Sequence, residues 1–292
     1  MTDTARALGS TGRGALRLTL YAAWTLLLIP LQALAVARGW PLRHRLPVFY
    51  HRSCARLLGI DVVVRGQRVA DGPVLFVSNH SSYLDITVLG SVIPGSFVAK
   101  TEVAGWPFFG LLAKLQRTVF VERKARTEVG KQRDDIGGRL DAGDSLILFP
   151  EGTSSDGNRT LPFKTALFAV AARRIGDKPL TVQPVSVTPT RLDNIPMGFA
   201  FRPFYAWYGD MDLAPHLWQA FKLGGMTVEV EFHPPVTIDG FSSRKALAEH
   251  CHRTVTLGVA RAVSGRHELA DQPLPVTPPA APAPAVAATT AT

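Results

Sequence analysis

From about residue 60 onward the chain alternates between short apolar runs and stretches of helical length. Ile60–Arg65, Val74–Ser78, Ser96–Ala99, Thr118–Val121, Ser145–Phe149, Thr181–Val187 and Thr227–Phe232 are rich in Val, Ile, Leu and Phe and predict strands. Between them, Tyr83–Val92, Trp106–Leu115, Arg126–Asp141, Phe163–Arg174 and Ser243–Val263 predict helices. Gly105, Pro107, Gly143 and Gly176 punctuate these elements. The alternation predicts an α/β fold: a single domain whose mostly β central sheet is flanked by helices.

The N-terminal pattern is different. Residues 1–17 are polar and small, with Arg6, Arg13 and Arg17. Residues 18–37, LTLYAAWTLLLIPLQALAVA, carry no charge and are just long enough to cross a bilayer as a helix, with a kink expected at Pro30. Three readings stay open: a spanning helix, a segment lying in or dipping into one leaflet with Leu42–Leu58 as a second amphipathic piece, or a cleaved signal, since Ala33-Leu34-Ala35 and Ala35-Val36-Ala37 have small-x-small character. Attachment is favoured over cleavage. Arg17 lies on one side of the segment and Arg38, Arg43 and Arg45 on the other, so charge does not fix an orientation. The expected organisation is a polar N-terminus (1–17), a membrane-associated helical segment (18–58), a folded domain (59–265) and an Ala/Pro-rich tail (266–292) that has no means of building a core and reads as disordered.

The 292 residues are enough for one sizeable domain, and the net charge is +9. A basic balance suits nucleic acid or an anionic lipid surface. Here the arginines flank an apolar segment rather than interleave with aromatics, so lipid is the expected partner and nucleic acid is not. Cys54 and Cys251 are far apart and no Cys/His cluster exists, so no metal site is expected.

The chemistry concentrates at two strand ends. Asn79-His80-Ser81-Ser82-Tyr83-Leu84-Asp85 follows the Val74–Ser78 run and sets a histidine and a carboxylate five residues apart. An imidazole whose tautomer is fixed by a carboxylate is a general base for a hydroxyl. Phe149-Pro150-Glu151-Gly152-Thr153 follows a second strand, and ligands of α/β sheets gather at such carboxyl ends. No G-x-S-x-G elbow occurs, which argues against a serine hydrolase of the α/β type.

Over roughly residues 60–240 these blocks, with Thr118–Arg123 and the proline-containing strand Val182–Val187, resemble in order and spacing the lysophosphatidic acid acyltransferase family, the glycerolipid acyltransferases with an H-x4-D motif. The resemblance implies a glycerolipid acyltransferase-like domain at the cell membrane, with His80 as base and Asp85 as its orienting partner. It implies acceptor binding by Arg123, Glu151, Gly152 and Thr153; Lys100, at its own strand end, is a further candidate cation. The implied reaction moves a fatty acyl group from acyl-CoA or acyl carrier protein to a lysolipid hydroxyl. The first expectation is 1-acyl-glycerol-3-phosphate, giving phosphatidic acid in phospholipid biosynthesis. No cofactor is needed beyond the thioester co-substrate, and a cytosolic thioester implies a site facing the cytoplasm. Many members have arginine after the EGT triplet, whereas this chain has Ser154 and Ser155. Arg159 or Lys164 could supply the missing cation, or the acceptor could lack a phosphomonoester, as lyso-ornithine lipid does. A non-catalytic, membrane-attached lipid-binding protein is the remaining alternative.

Overall fold

The computed structural model of the protein describes residues 9–121 and 129–266. Two helices lead. Helix α1 (Thr11–Ala37) is capped by Ser10, whose hydroxyl accepts the Arg13 N–H, and it continues through Pro30. Helix α2 (Leu42–Leu58) closes on Gly59, whose φ of 72° lies in the left-handed region that glycine adopts freely. The expected polar N-terminus of 1–17 therefore overlaps a helix from Thr11 onward. The cause is tertiary: Arg13 donates to the Lys222 carbonyl (2.7 Å) and Arg17 to the Leu223 carbonyl (2.7 Å), so these arginines dock the helix instead of solvating a tail.

The seven expected strand runs all form strands: β1 (Ile60–Gly66), β2 (Val74–Ser78), β3 (Ser96–Lys100), β4 (Val119–Val121), β5 (Leu146–Leu148), β8 (Thr181–Leu192) and β10 (Met226–Phe232). The order across the main sheet is β1-β10-β8-β2-β5-β3-β4. Strands β8, β2, β5, β3 and β4 are mutually parallel, β10 runs antiparallel to β8, and β1 is parallel to β10. The small pieces β6 (Arg174–Ile175) and β7 (Lys178–Pro179) form a separate hairpin, and β9 (Ile195–Pro196) folds back on β8.

Strand β2 shows why this is a three-layer fold. All five of its residues are buried, as expected for a parallel strand covered on both faces. Val74 and Phe76 join a core with Leu58, Val88, Leu89 and Phe221, beneath α2, α3 (Leu84–Val92) and α6 (Leu213–Lys222). Leu75 and Val77 join the opposite core with Leu140, Phe168, Leu247 and Val255, beneath α5 (Val129–Asp141) and α7 (Arg244–Ser264).

Three expectations change. The stretch Phe163–Arg174 holds a 3₁₀ helix at Thr165–Ala172, not an α-helix. The helix expected from Trp106 is α4 (Phe109–Leu115), preceded by a 3₁₀ turn at Thr101–Gly105. Helix α6 was not expected at all. The start of the Arg126–Asp141 helix and most of the 266–292 tail lie outside the described residues. Because β2, β3, β4 and β5 run the same way, their carboxyl ends emerge at one edge of the sheet.

Candidate active site

The loop after β2 is pinned before it reaches the chemistry. The Asn79 side chain donates to the Val187 carbonyl and accepts the Val187 N–H on β8, both at 2.8 Å. His80 follows, with Nδ1 2.9 Å from Asp85 Oδ2. The same Oδ2 accepts the N–H groups of Ser81 (2.7 Å) and Ser82 (2.9 Å), so the carboxylate ties down the loop that leads into α3. An oxygen already taking two N–H donors is an acceptor for Nδ1–H, which leaves Nε2 of His80 as the basic nitrogen. The His80 side chain is 21 % exposed while Asp85 is fully buried. One side of the ring stacks on Phe149 at 4.1 Å between centroids, so both motif strands hold it.

Tyr205 completes the set. Its hydroxyl donates to Asp85 Oδ1 at 2.8 Å from a fully buried position. Burial, reinforced by the Asp85 charge, raises its pKa well above the usual phenol value and keeps it a donor. Nothing in the sequence marks this residue, which lies 120 positions after Asp85.

The FPEGT loop closes against the first motif. Ser155 N–H donates to the His80 carbonyl (2.8 Å), and Trp207 N–H donates to the Ser81 carbonyl (2.8 Å). From the sequence, Glu151 is expected to touch the acceptor. In the structure its carboxyl is 2 % exposed, and Oε1 accepts the His80 N–H at 3.3 Å. Its pKa is pushed up to about 9, first by burial and further by Asp85, against the lowering effect of N–H donors from His80 and Leu161. Oε2 is buried without a partner. Glu151 thus faces the His80 backbone and not solvent. Gly152 turns the chain beside it with φ 74°, and Thr153 is exposed.

Lys100 is exposed at the carboxyl end of β3, opposite Val121 on β4. Arg123 lies outside the described residues, two positions past Val121. Ser154, which follows the Glu151-Gly152-Thr153 triplet, donates its hydroxyl to the Trp207 carbonyl. Arg159 and Lys164 are exposed on the following segment, and neither side chain has a polar partner among the described residues. A different cation stands behind this loop: Arg202 is 4 % exposed and donates to Asn158 Oδ1 at 2.6 Å, turned inward. Among the described residues there is no group of His, Cys, Asp and Glu that could hold a metal ion.

An apolar cavity of about 200 Å³ opens beside the motif loop. It runs between α1 and α2 on one side and α3 and α4 on the other, from Tyr83, Leu84 and Trp106 to Leu46 and Leu115. Gln32, which donates to the Leu115 carbonyl at 2.9 Å, and His51, bonded through Nε2 to Gln116, line its polar positions. A half-buried base at the carboxyl end of a central strand, next to an apolar cavity, suits chemistry on a hydroxyl of a molecule with a fatty chain.

The chain matches the Acyltransferase family over residues 61–188. A lyso-ornithine lipid O-acyltransferase from Brucella abortus is 46 % identical over 249 residues, which are 84 % of this chain and 92 % of that protein. A 1-acyl-sn-glycerol-3-phosphate acyltransferase from Neisseria gonorrhoeae is 32 % identical over 220 residues, 75 % of this chain and 82 % of the other. The crystal structure of the 1-acyl-sn-glycerophosphate acyltransferase from Thermotoga maritima covers 90 % of this chain and 98 % of its own at a TM-score of 0.61 and 21 % identity, which establishes the shared fold. The chain therefore belongs to the lysophosphatidic acid acyltransferase family, and it is an enzyme that acylates lysolipids.

Proposed function

We propose that the protein transfers a fatty acyl group from a thioester, acyl-CoA or acyl carrier protein, to the hydroxyl of lyso-ornithine lipid, ahead of 1-acyl-glycerol-3-phosphate. The observation that carries the acceptor is the 46 % identity to a lyso-ornithine lipid O-acyltransferase along nearly the whole of that relative. It revises the first expectation from the motifs alone, and Ser154 in place of a phosphate-binding arginine agrees with it.

In this reading His80 Nε2 takes the hydroxyl proton as the acceptor oxygen bonds to the thioester carbonyl carbon. Asp85 holds the ring and stabilises the imidazolium. The tetrahedral intermediate collapses, the C–S bond breaks, and the leaving thiolate takes the proton from His80. The products are an ester and a free thiol, and no covalent acyl-enzyme forms. The apolar cavity takes an acyl chain. Glu151 and Gly152 position the loop, and Lys100 with Arg123 supply positive charge for the acceptor's carboxylate. Helices α1 and α2 seat the enzyme on the cytoplasmic leaflet of the cell membrane, where the thioesters are available.

His80→Ala is expected to lower turnover by about 10²- to 10⁴-fold, the range for loss of a general base. The assay gives the purified protein each thioester with lyso-ornithine lipid or 1-acyl-glycerol-3-phosphate. Near-normal turnover of His80→Ala would remove the mechanism, and turnover confined to the glycerophosphate acceptor would remove the acceptor assignment.

A further inference from the structure

Three aromatic rings stand where the motif loop meets the cavity. Tyr83 lies three residues after His80, and Trp207 is held to the same loop by its N–H bond to the Ser81 carbonyl (2.8 Å). The two rings meet at 6.0 Å and 66°. Trp106, arriving from the segment after β3, meets Trp207 at 6.2 Å and 86°. All three are half-buried, and Tyr83 and Trp106 also line the cavity. The Trp207 indole N–H is taken by the Met211 carbonyl at 2.8 Å, which fixes the ring. That bond closes a short loop on the indole edge; Asp210 and Asp212 flank Met211 in it, both exposed and neither ion-paired among the described residues. Unpaired carboxylates stand out in a chain of net charge +9. The titratable neighbour behind Tyr83 is His216, which is buried with its pKa lowered, so it adds no positive charge.

Edge-to-face rings present negative faces at an angle, and such a corner attracts an ammonium group. We propose that Tyr83, Trp106 and Trp207, with Asp210 and Asp212 beside them, form a subsite for a cationic amine on the acceptor's head group. The inference rests on the lyso-ornithine reading and deepens it, since an ornithine head group carries a side-chain ammonium as well as a carboxylate. Lys100 at the end of β3 suits the carboxylate and the aromatic corner suits the ammonium. Position 154 ties the corner to the altered motif. Ser154 donates to the Trp207 carbonyl, so the residue that replaces arginine also fixes the backbone of the central indole. An arginine there would bring a competing cation to the same corner and a partner for phosphate.

The test uses the full-length protein in detergent micelles with three acceptors: lyso-ornithine lipid, the same lipid with its side-chain amine acetylated, and 1-acyl-glycerol-3-phosphate. Acetylation removes the charge and leaves the reacting hydroxyl in place. The wild type is expected to show a KM roughly 3- to 30-fold higher for the acetylated lipid, with kcat little changed, which is the range for a cation–π contact. Trp207→Leu is expected to raise KM for the native lipid to that of the acetylated one, and Trp207→Phe to recover part of the difference. Ser154→Arg is expected to shift preference toward the glycerophosphate. Equal KM for native and acetylated lipid in the wild type overturns the subsite, a comparison that needs no variant to fold. A Trp207→Leu protein whose KM rises equally for both lipids overturns it too, because that is the mark of a structural role. Absence of turnover with either ornithine lipid, alongside turnover of the glycerophosphate, removes the acceptor assignment and the subsite together.

Discussion

The base is assembled mostly within one short loop, with Tyr205 brought to it from 120 positions away. Asp85 takes four hydrogen bonds within 2.9 Å, from His80, Ser81, Ser82 and Tyr205, and only His80 reaches partial exposure. A buried carboxylate is tolerable when satisfied in this way. Glu151 is the contrasting case, with one carboxyl oxygen bonded, the other orphaned and its pKa raised to about 9. A glutamate whose folded pKa lies above its unfolded value favours folding below the unfolded pKa. That contribution is lost as pH rises from about 4.5 to about 9, because the unfolded chain ionises first. Glu151→Gln keeps the oxygen that accepts the His80 N–H and removes the proton. Its melting temperature is therefore expected to gain on wild type between pH 5 and 9, with turnover at pH 7 retained within about an order of magnitude. Thermal melts across that range and a kcat comparison check both, and a catalytically dead glutamine variant would show that the charged carboxylate is needed. Not every His near a Ser is chemical. Ser186 Oγ lies 3.1 Å from His233 Nε2, with Glu231 3.7 Å from the other nitrogen, yet Ser186 and His233 are buried in the sheet under α7. A side chain added at Gly258 would strike both, so this set is packing and not a second active centre.

At the scale of elements, α3 carries Asp85 at its start and a close helix contact further along. A Cβ at Gly90 would overlap the His51 ring of α2, so the glycine sets how near the two helices approach along the cavity. Gly90→Val is expected to destabilise the protein by about 1–3 kcal/mol, the usual cost of overpacking, and to widen the space between α2 and α3. Chemical denaturation measures the first; a shift in acyl-chain-length preference reports the second. The strands were legible because buried parallel strands are continuous apolar runs, and His80, Asp85 and Glu151 were legible because each follows such a run. Helix α6 left a signal that was missed: Leu213, Leu217 and Phe221 repeat at helical spacing, and Pro215 falls in the first turn, where a missing N–H costs nothing. The 3₁₀ segment at Thr165–Ala172 was illegible in detail, because an apolar run of eight residues does not distinguish two helix types. Tyr205 and the Trp207 corner were illegible altogether. Their roles come from which loop the fold lays over the motif, and no local pattern encodes that.

The whole molecule has a face that its own core leaves open. Along α1, Leu16, Leu20, Leu27, Leu31 and Leu34 are exposed, at spacings of four, seven, four and three that make one stripe. Gly14, Thr25 and Gln32 are buried on the opposite side. The helix is long and apolar enough to cross a membrane by length and composition. Yet both of its ends are tied to the domain, by Arg13 and Arg17 at α6 and by Gln32 at the Leu115 carbonyl. A helix held at both ends along a folded domain cannot thread a bilayer without breaking those bonds. We propose that the helix lies in one leaflet with its leucine stripe inserted. Trp40 and Phe49 are exposed near α2, and Arg38, Arg43 and Arg45 provide charge for anionic lipid head groups. These leucines are about half exposed, so each one inserted removes apolar surface worth roughly 1 kcal/mol from water. Leu27→Asp with Leu31→Asp is accordingly expected to abolish co-sedimentation with anionic vesicles while leaving kcat in detergent near the wild-type value. Raising salt is expected to weaken vesicle binding of the wild type by screening the arginines, without matching the loss in the double variant. Unchanged vesicle binding by the double variant would mean that another surface carries the protein to its substrate.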